Sequence, residues 1–157
     1  MPVFEILPLE AIGPARLGAS RAAAREAMSV NGFPLERSYG RVDYFCETSI
    51  QLEYGPRDEV QFIGVSGNSQ LSFTFRGVDV FSISATELFS LMAASDDSGP
   101  HEFDRFEYCF PNQILTLWGA DEQYDRQGGE KRKVWGQVGI GNDGSRRLPK
   151  AASTRRN

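Results

Sequence analysis

The chain has 157 residues, 40% of them hydrophobic, with 11 phenylalanines and a formal net charge of −4. That length suits one domain that buries most of its own surface without disulfides or metals. No run approaches the roughly 20 apolar residues of a membrane span, and MPVFEILPLEAIG lacks the basic start of a secretory signal, so the expected location is the cytoplasm.

In chain order, PVFEIL (2–7) reads as a first strand closed by Pro8. Next comes GPARLGAS, from Gly13 to Ser20. It is one residue short of the phosphate-cradling G-x-x-x-x-G-K-[ST], because Ala19 stands where the lysine belongs. A phosphate loop should also open a parallel βαβ unit, and antiparallel-looking strands follow here. The segment therefore reads as a helix launch: Gly13-Pro14 bends the chain, Gly18 permits positive φ, and Ser20 is a good N-cap. The alanine-rich helix over 20–29 follows, with Leu17, Ala24, Ala27 and Met28 on its buried side and Gly32 and Pro34 at its exit.

From Val42 to Phe81 the hydrophobic period is two. VDYFC, SIQLEY, EVQFIGVS, QLSFTFR and VDVFSI read as an antiparallel meander with one wet face, broken by GPRD, GNS and Gly77. A second helix opens at Ser84-Ala85-Thr86-Glu87, a capping box, with Ile83 and Leu88 placed as a hydrophobic staple. It ends near Ala94, before DDSGP. FEYCF and QILTLWG read as a hairpin, and VWGQVGIG as a closing strand after a polar stretch tipped by Gly128-Gly129.

The predicted fold is α+β: a curved antiparallel β-sheet meander of about seven or eight strands with two helices packed on one face. Residues 1–140 form the single domain. Residues 141–157 form a basic tail, read as disordered, with Arg146, Arg147, Lys150, Arg155 and Arg156 against Asp143. The tail therefore carries +4 and the body −8, an acidic balance that disfavours nucleic acid and favours basic partners.

Reactive constellations are scarce. Cys46 and Cys109 sit in aromatic runs and read as buried free thiols. His101, the one histidine, lies in the SGPHEFD loop and reads as exposed. A triad would have to be built on it alone, which makes a hydrolase the weakest of three readings. No metal or cofactor is expected, because the carboxylates lack calcium-loop spacing.

What remains is a surface for a partner. Asp58 and Glu59, Asp96, Asp97 and Glu102, and Asp121 and Glu122 fall in loops, with Trp118 and Trp135 nearby in strands. Most such carboxylates are simply solvated, and a strand tryptophan is ordinarily core. The sharper reading is an acidic docking face with an aromatic anchor.

A resemblance gives this face a partner class. IGPARLGASRAAAREAM, FRGVDVFSISATELFSLM, YCFPNQILTLWG and VWGQVGIGN resemble segments of small bacterial immunity proteins of polymorphic toxin systems, over roughly residues 10–142. The helix entry is also similar to that of the β-lactamase inhibitory protein and outer-membrane assembly lipoprotein fold. Ala19 and Ala24 depart from the methionine and valine usual in that entry, and no lipoprotein signal is present. The resemblance implies a non-enzymatic protein that binds and neutralises a cognate toxin domain by occluding its active site. It carries over no site residue. A small-ligand or regulatory module with a pocket in the concave sheet is the alternative.

Overall fold

The computed structural model describes residues 1–124 and 131–144; side chains of 121–124 and 131–132 are outside the description. Gly128-Gly129 and residues 145–157 lie outside the described residues.

The strands are β1 (Val3–Leu7), β2 (Ala11–Ile12), β3 (Ala15–Arg16), β4 (Arg37–Tyr39), β5 (Val42–Phe45), β6 (Ile50–Tyr54), β7 (Val60–Val65), β8 (Ser72–Phe75) and β9 (Val78–Asp79), then β10 (Glu107–Phe110), β11 (Leu115–Trp118), β12 (Asp121–Tyr124), β13 (Lys131–Val134) and β14 (Gln137–Gly141). The helices are α1 (Arg21–Val30) and α2 (Ala85–Ser95). The protein is α+β, as the hydrophobic patterning predicts.

A seven-stranded antiparallel sheet runs β10-β11-β14-β7-β6-β5-β4, a five-stranded sheet runs β3-β2-β1-β8-β9, and β12 pairs with β13. The expected meander is therefore divided. β4 to β7 pair consecutively, but β8 and β9 leave for the smaller sheet, where β8 lies parallel to β1 with Phe4 opposite Phe73. β14 takes the vacated edge of β7. Alternating hydrophobicity says which face of a strand is buried. It does not name the neighbour, and sequential strands pair only about two-thirds of the time.

One face of the large sheet carries Phe45, Leu52, Ile63, Val138, Leu117 and Tyr108, all buried in the main core. Both helices pack on this face. Arg21 and Arg25 of α1 reach Asp43, which stands opposite Leu52. On α2, Phe89 packs edge-on against Tyr108 at 5.0 Å between ring centroids.

The helix ends follow local chemistry. Ser20 Oγ accepts from the Ala23 amide at 3.1 Å. At α2, Ser84 Oγ accepts from the Glu87 amide at 3.3 Å, while Glu87 Oε1 accepts from the Ser84 hydroxyl at 2.9 Å. The reciprocal arm thus runs to the serine side chain rather than its amide. Ser20→Ala is expected to cost about 1 kcal/mol of stability, read by urea denaturation, with no loss of partner binding.

The GPARLGAS segment resolves into a small hairpin and a strap. Gly13-Pro14 turns β2 into β3, with Ile12 opposite Ala15. Gly13 has φ +56 and supports the Phe4 ring; an added Cβ would stand 2.4 Å from that ring. The amides of Gly13, Leu17, Gly18 and Ala19 donate to Glu5, Glu10, Val60 and Arg16 carbonyls. A phosphate would need those amides, and the chain itself uses them.

Candidate protein-binding surface

The loops singled out in the sequence do not form one patch. The β6–β7 turn holds Asp58 and Glu59 where β7 begins. Asp58 is exposed, has φ 56, and its Oδ1 lies 3.4 Å from Arg21 Nη1. Glu59 is half-buried, and its Oε1 accepts from Gln61 Nε2 at 3.3 Å. Asp96 and Asp97 meet the β10–β11 hairpin tip at this same end of the sheet, where Gly141 of β14 donates to Ile114. Trp118 lies at the other end, in register with Gln137 beyond Val65 of β7.

Asp96 is not a contact residue of an open face. Its side chain is fully buried and accepts from the Ser98 amide, the Ser98 hydroxyl and the Gln113 amide, the last at 3.0 Å. Burial alone would raise this carboxyl, but the Ser98 and Gln113 hydrogen bonds and nearby His101 hold it below its ordinary value. Asp97 is exposed and accepts from Asn112 Nδ2 at 2.8 Å, and Glu102 is exposed. Asp121 and Glu122 occupy β12 opposite Val134 and Lys133, with side chains outside the description.

The His101 side chain is shielded, not exposed: 5% of it meets solvent, although the residue as a whole is half-buried. Nδ1 is 2.7 Å from Tyr108 Oη, and Nε2 is 3.2 Å from the Asp96 carbonyl. Ser98 Oγ, at 3.4 Å, also approaches Nε2. A nucleophilic triad needs the serine and the acid on opposite ring nitrogens. Here both crowd one nitrogen and the other meets a tyrosine, so the cluster is a stitched loop.

The two tryptophans have opposite fates. Trp135 is 0% exposed, and its Nε1 donates to the Ala85 carbonyl at 3.0 Å, which makes it core and rules it out as a surface anchor. Trp118 is 55% exposed. It stands on the outer face opposite Glu107, at the end of β11. Phe106, equally exposed, precedes that pair, and the Arg105 guanidinium lies 4.7 Å from the Phe106 ring centroid. The Gly119 and Ala120 amides donate at 2.8 Å to the Phe106 and Arg105 carbonyls, which fixes this end of the hairpin. Asp104 Oδ1 accepts from the Phe106 amide at 2.8 Å. Exposed Phe103 packs against Phe89 and buried Trp135, so the rim is joined to the core. The result is a rigid aromatic and arginine edge among Glu102, Asp104 and Glu107.

The sequence reading missed a second charged cluster. Asp43, 0% exposed, accepts from Arg25 Nε at 2.7 Å, Arg25 Nη2 at 2.9 Å, Arg21 Nη2 at 3.1 Å and Tyr54 Oη at 2.8 Å. The Arg21 guanidinium also lies 4.6 Å from the Tyr54 ring centroid and bonds Ser38 Oγ and the Gly40 carbonyl. Burial pushes the Asp43 carboxyl up, but bonds from Arg25, Ser38, Tyr54 and Arg21 outweigh it and hold the group far below the usual carboxylate range. With every oxygen of the acid engaged by its own chain, this is a clasp between α1 and the sheet. Its signal was the inward parity of Asp43 with Phe45, together with arginines four apart on α1.

An open groove beside α2 is lined by Val78, Ile83, Thr86, Glu87, Ser90 and Leu91. It is not in the concave sheet, and Glu87 is engaged in the helix cap. No group of three or more metal-ligating side chains occurs among the described residues. No helix among them is long and apolar enough to cross a membrane.

No family model matches the chain, and neither a curated protein nor a solved structure matches it. The likeness to immunity proteins therefore stands on the quoted segments alone.

Proposed function

We propose that this chain is a cytoplasmic immunity protein that docks a basic toxin domain at the β10–β11 edge and blocks that domain's active site. The observation that carries the reading is Trp118, 55% exposed beside Arg105 and Phe106 on a hydrogen-bonded hairpin end. Tryptophan and arginine dominate the energetic centres of protein interfaces, and rigid anchors lose little entropy on binding. The −8 body charge would speed encounter with a basic partner and make that encounter sensitive to salt. Occlusion needs no reacting group in this chain. The partner class comes from the resemblance of the segments.

The test is co-expression with the variable C-terminal domain of a toxin encoded beside this chain. The expected result is a stable complex and restored growth; absence of both sinks the reading. Trp118→Ala should weaken the complex by at least about 2 kcal/mol, or roughly 30-fold in Kd, by calorimetry. An unchanged Kd would move the contact to another face.

A second reading, a small-ligand module, draws its support from the open groove beside α2 rather than from the pocket in the concave sheet that the sequence suggested. Thermal stabilisation by a small molecule, abolished by a bulky residue at Ser90, would favour it.

A further inference from the structure

In the connection between β5 and β6, Cys46, Glu47 and Thr48 have successive φ values of 54, 54 and 63. Left-handed backbone crowds the Cβ of any residue but glycine, and for a β-branched threonine it is a true outlier. Such strain persists only where the surroundings hold it in place. Glu36, just before β4, is the first hold. Its Oε2 accepts from the Glu47 amide at 2.6 Å and its Oε1 from the Thr48 amide at 3.0 Å. Successive amides turned to one side form a nest for an anion, and the chain supplies that anion itself. The second hold is the β7–β8 connection, which carries the chain from the large sheet to the small one. Asn68 Nδ2 donates to the Cys46 carbonyl at 3.3 Å, and Gln70 Nε2 donates to Glu47 Oε1. Ser49 closes the turn, its amide and hydroxyl donating to the Cys46 carbonyl at 3.0 and 2.7 Å.

We propose that this turn is a strained latch over Cys46, kept closed by the Glu36 carboxylate, and that withdrawing the carboxylate opens the turn and makes the thiol reactive. Without Glu36, two amides lose their acceptor, and the left-handed run loses the contact that offsets its strain. Thr48 and Glu47 then relax toward negative φ. Cys46 begins the run, so its side chain turns with the backbone. In the closed form Cys46 is 5% exposed and packs in the main core. Burial raises its thiol pKa, and the Glu36 and Glu47 charges add to the rise against a hydrogen bond with Ser49. Only the thiolate reacts readily, so Glu36 protects the sulfur twice, by position and by charge. The latch ties β4, the β5–β6 turn and the crossover between the two sheets, and it does not depend on the toxin-binding reading.

The two cysteines allow an internal comparison, because Cys109 is also buried but lies in β10. The folded full-length chain is treated with N-ethylmaleimide, and each cysteine is quantified by peptide mass spectrometry. Glu36→Ala should label at Cys46 at least about ten-fold faster than the unaltered chain, the mark of local opening, with Cys109 unchanged. Glycine accepts positive φ without strain, so adding Thr48→Gly to Glu36→Ala should slow Cys46 again by at least about three-fold. That reversal separates release of strain from mere loss of a covering side chain. An unchanged Cys46 rate in Glu36→Ala, a rise that Cys109 shares, or no slowing on adding Thr48→Gly overturns the proposal.

Discussion

Asp43→Ala is expected to lower stability by about 3–5 kcal/mol, the cost of removing one partner from a buried ion pair. The substitution strips the counter-charge from Arg21, whose side chain is 18% exposed, and from Arg25, and it takes the acceptor from the Tyr54 hydroxyl. Two features hold the loss toward the lower end. Arg25 is 37% exposed and can turn to water, and Arg21 keeps Ser38 Oγ and the Gly40 carbonyl. Urea denaturation reads the loss as a lowered midpoint at an unchanged m-value; a change under 1 kcal/mol would mean that the clasp is idle. The pH profile carries an independent signature. The Asp43 carboxyl is depressed in the fold, so its contribution is full above its unfolded pKa of about 4 and is lost as pH falls below that. Tyr54 works at the other end. Burial and the bond to Asp43 raise its hydroxyl, so its contribution is full below about pH 10 and is lost above it. Asp43→Asn should flatten the acid limb of the stability profile, because the titrating group is gone.

The clasp also shows what a single sequence conveys. Its members were visible one by one, but an acid in a short strand reads as outward until the register is known. Pairing of Asp43 with Leu52 turns it inward beneath α1. The helices themselves were legible, because capping and periodicity are local: Ser20 and Ser84 cap where the residues say they should. The departure of β8 and β9 to lie beside β1 was not, since that pairing joins residues about seventy positions apart. His101 was misplaced for a different reason, since a loop between a helix and a strand has no period that tells which side chains turn inward. Its partners Asp96, Tyr108 and Phe110 all lie within nine residues, and it is the packing of the loop against β10 and the α2 end that buries the ring.

Trp135→Ala should cost about 3–5 kcal/mol of stability, the range for an aromatic cut from a packed core. The indole is fully buried, touches the Phe103 ring at 5.7 Å between centroids, and is tied through Nε1 to the first turn of α2. Its loss would open a cavity between that turn and the loop bearing Phe103. Trp118→Ala, on the outer face, should shift stability by no more than about 0.5 kcal/mol. The alternation of LTLW already separates Leu115 and Leu117 from Thr116 and Trp118. Trp135 follows no such rule, because it lies between β13 and β14 beside Gly136, whose amide is shared by the Trp118 and Gly119 carbonyls at 3.0 Å. That kink, and not the strand period, sends its ring into the core. Comparing the urea midpoints of the two variants checks the division: a large loss at Trp118, or a small one at Trp135, would reverse the assignment of anchor and core.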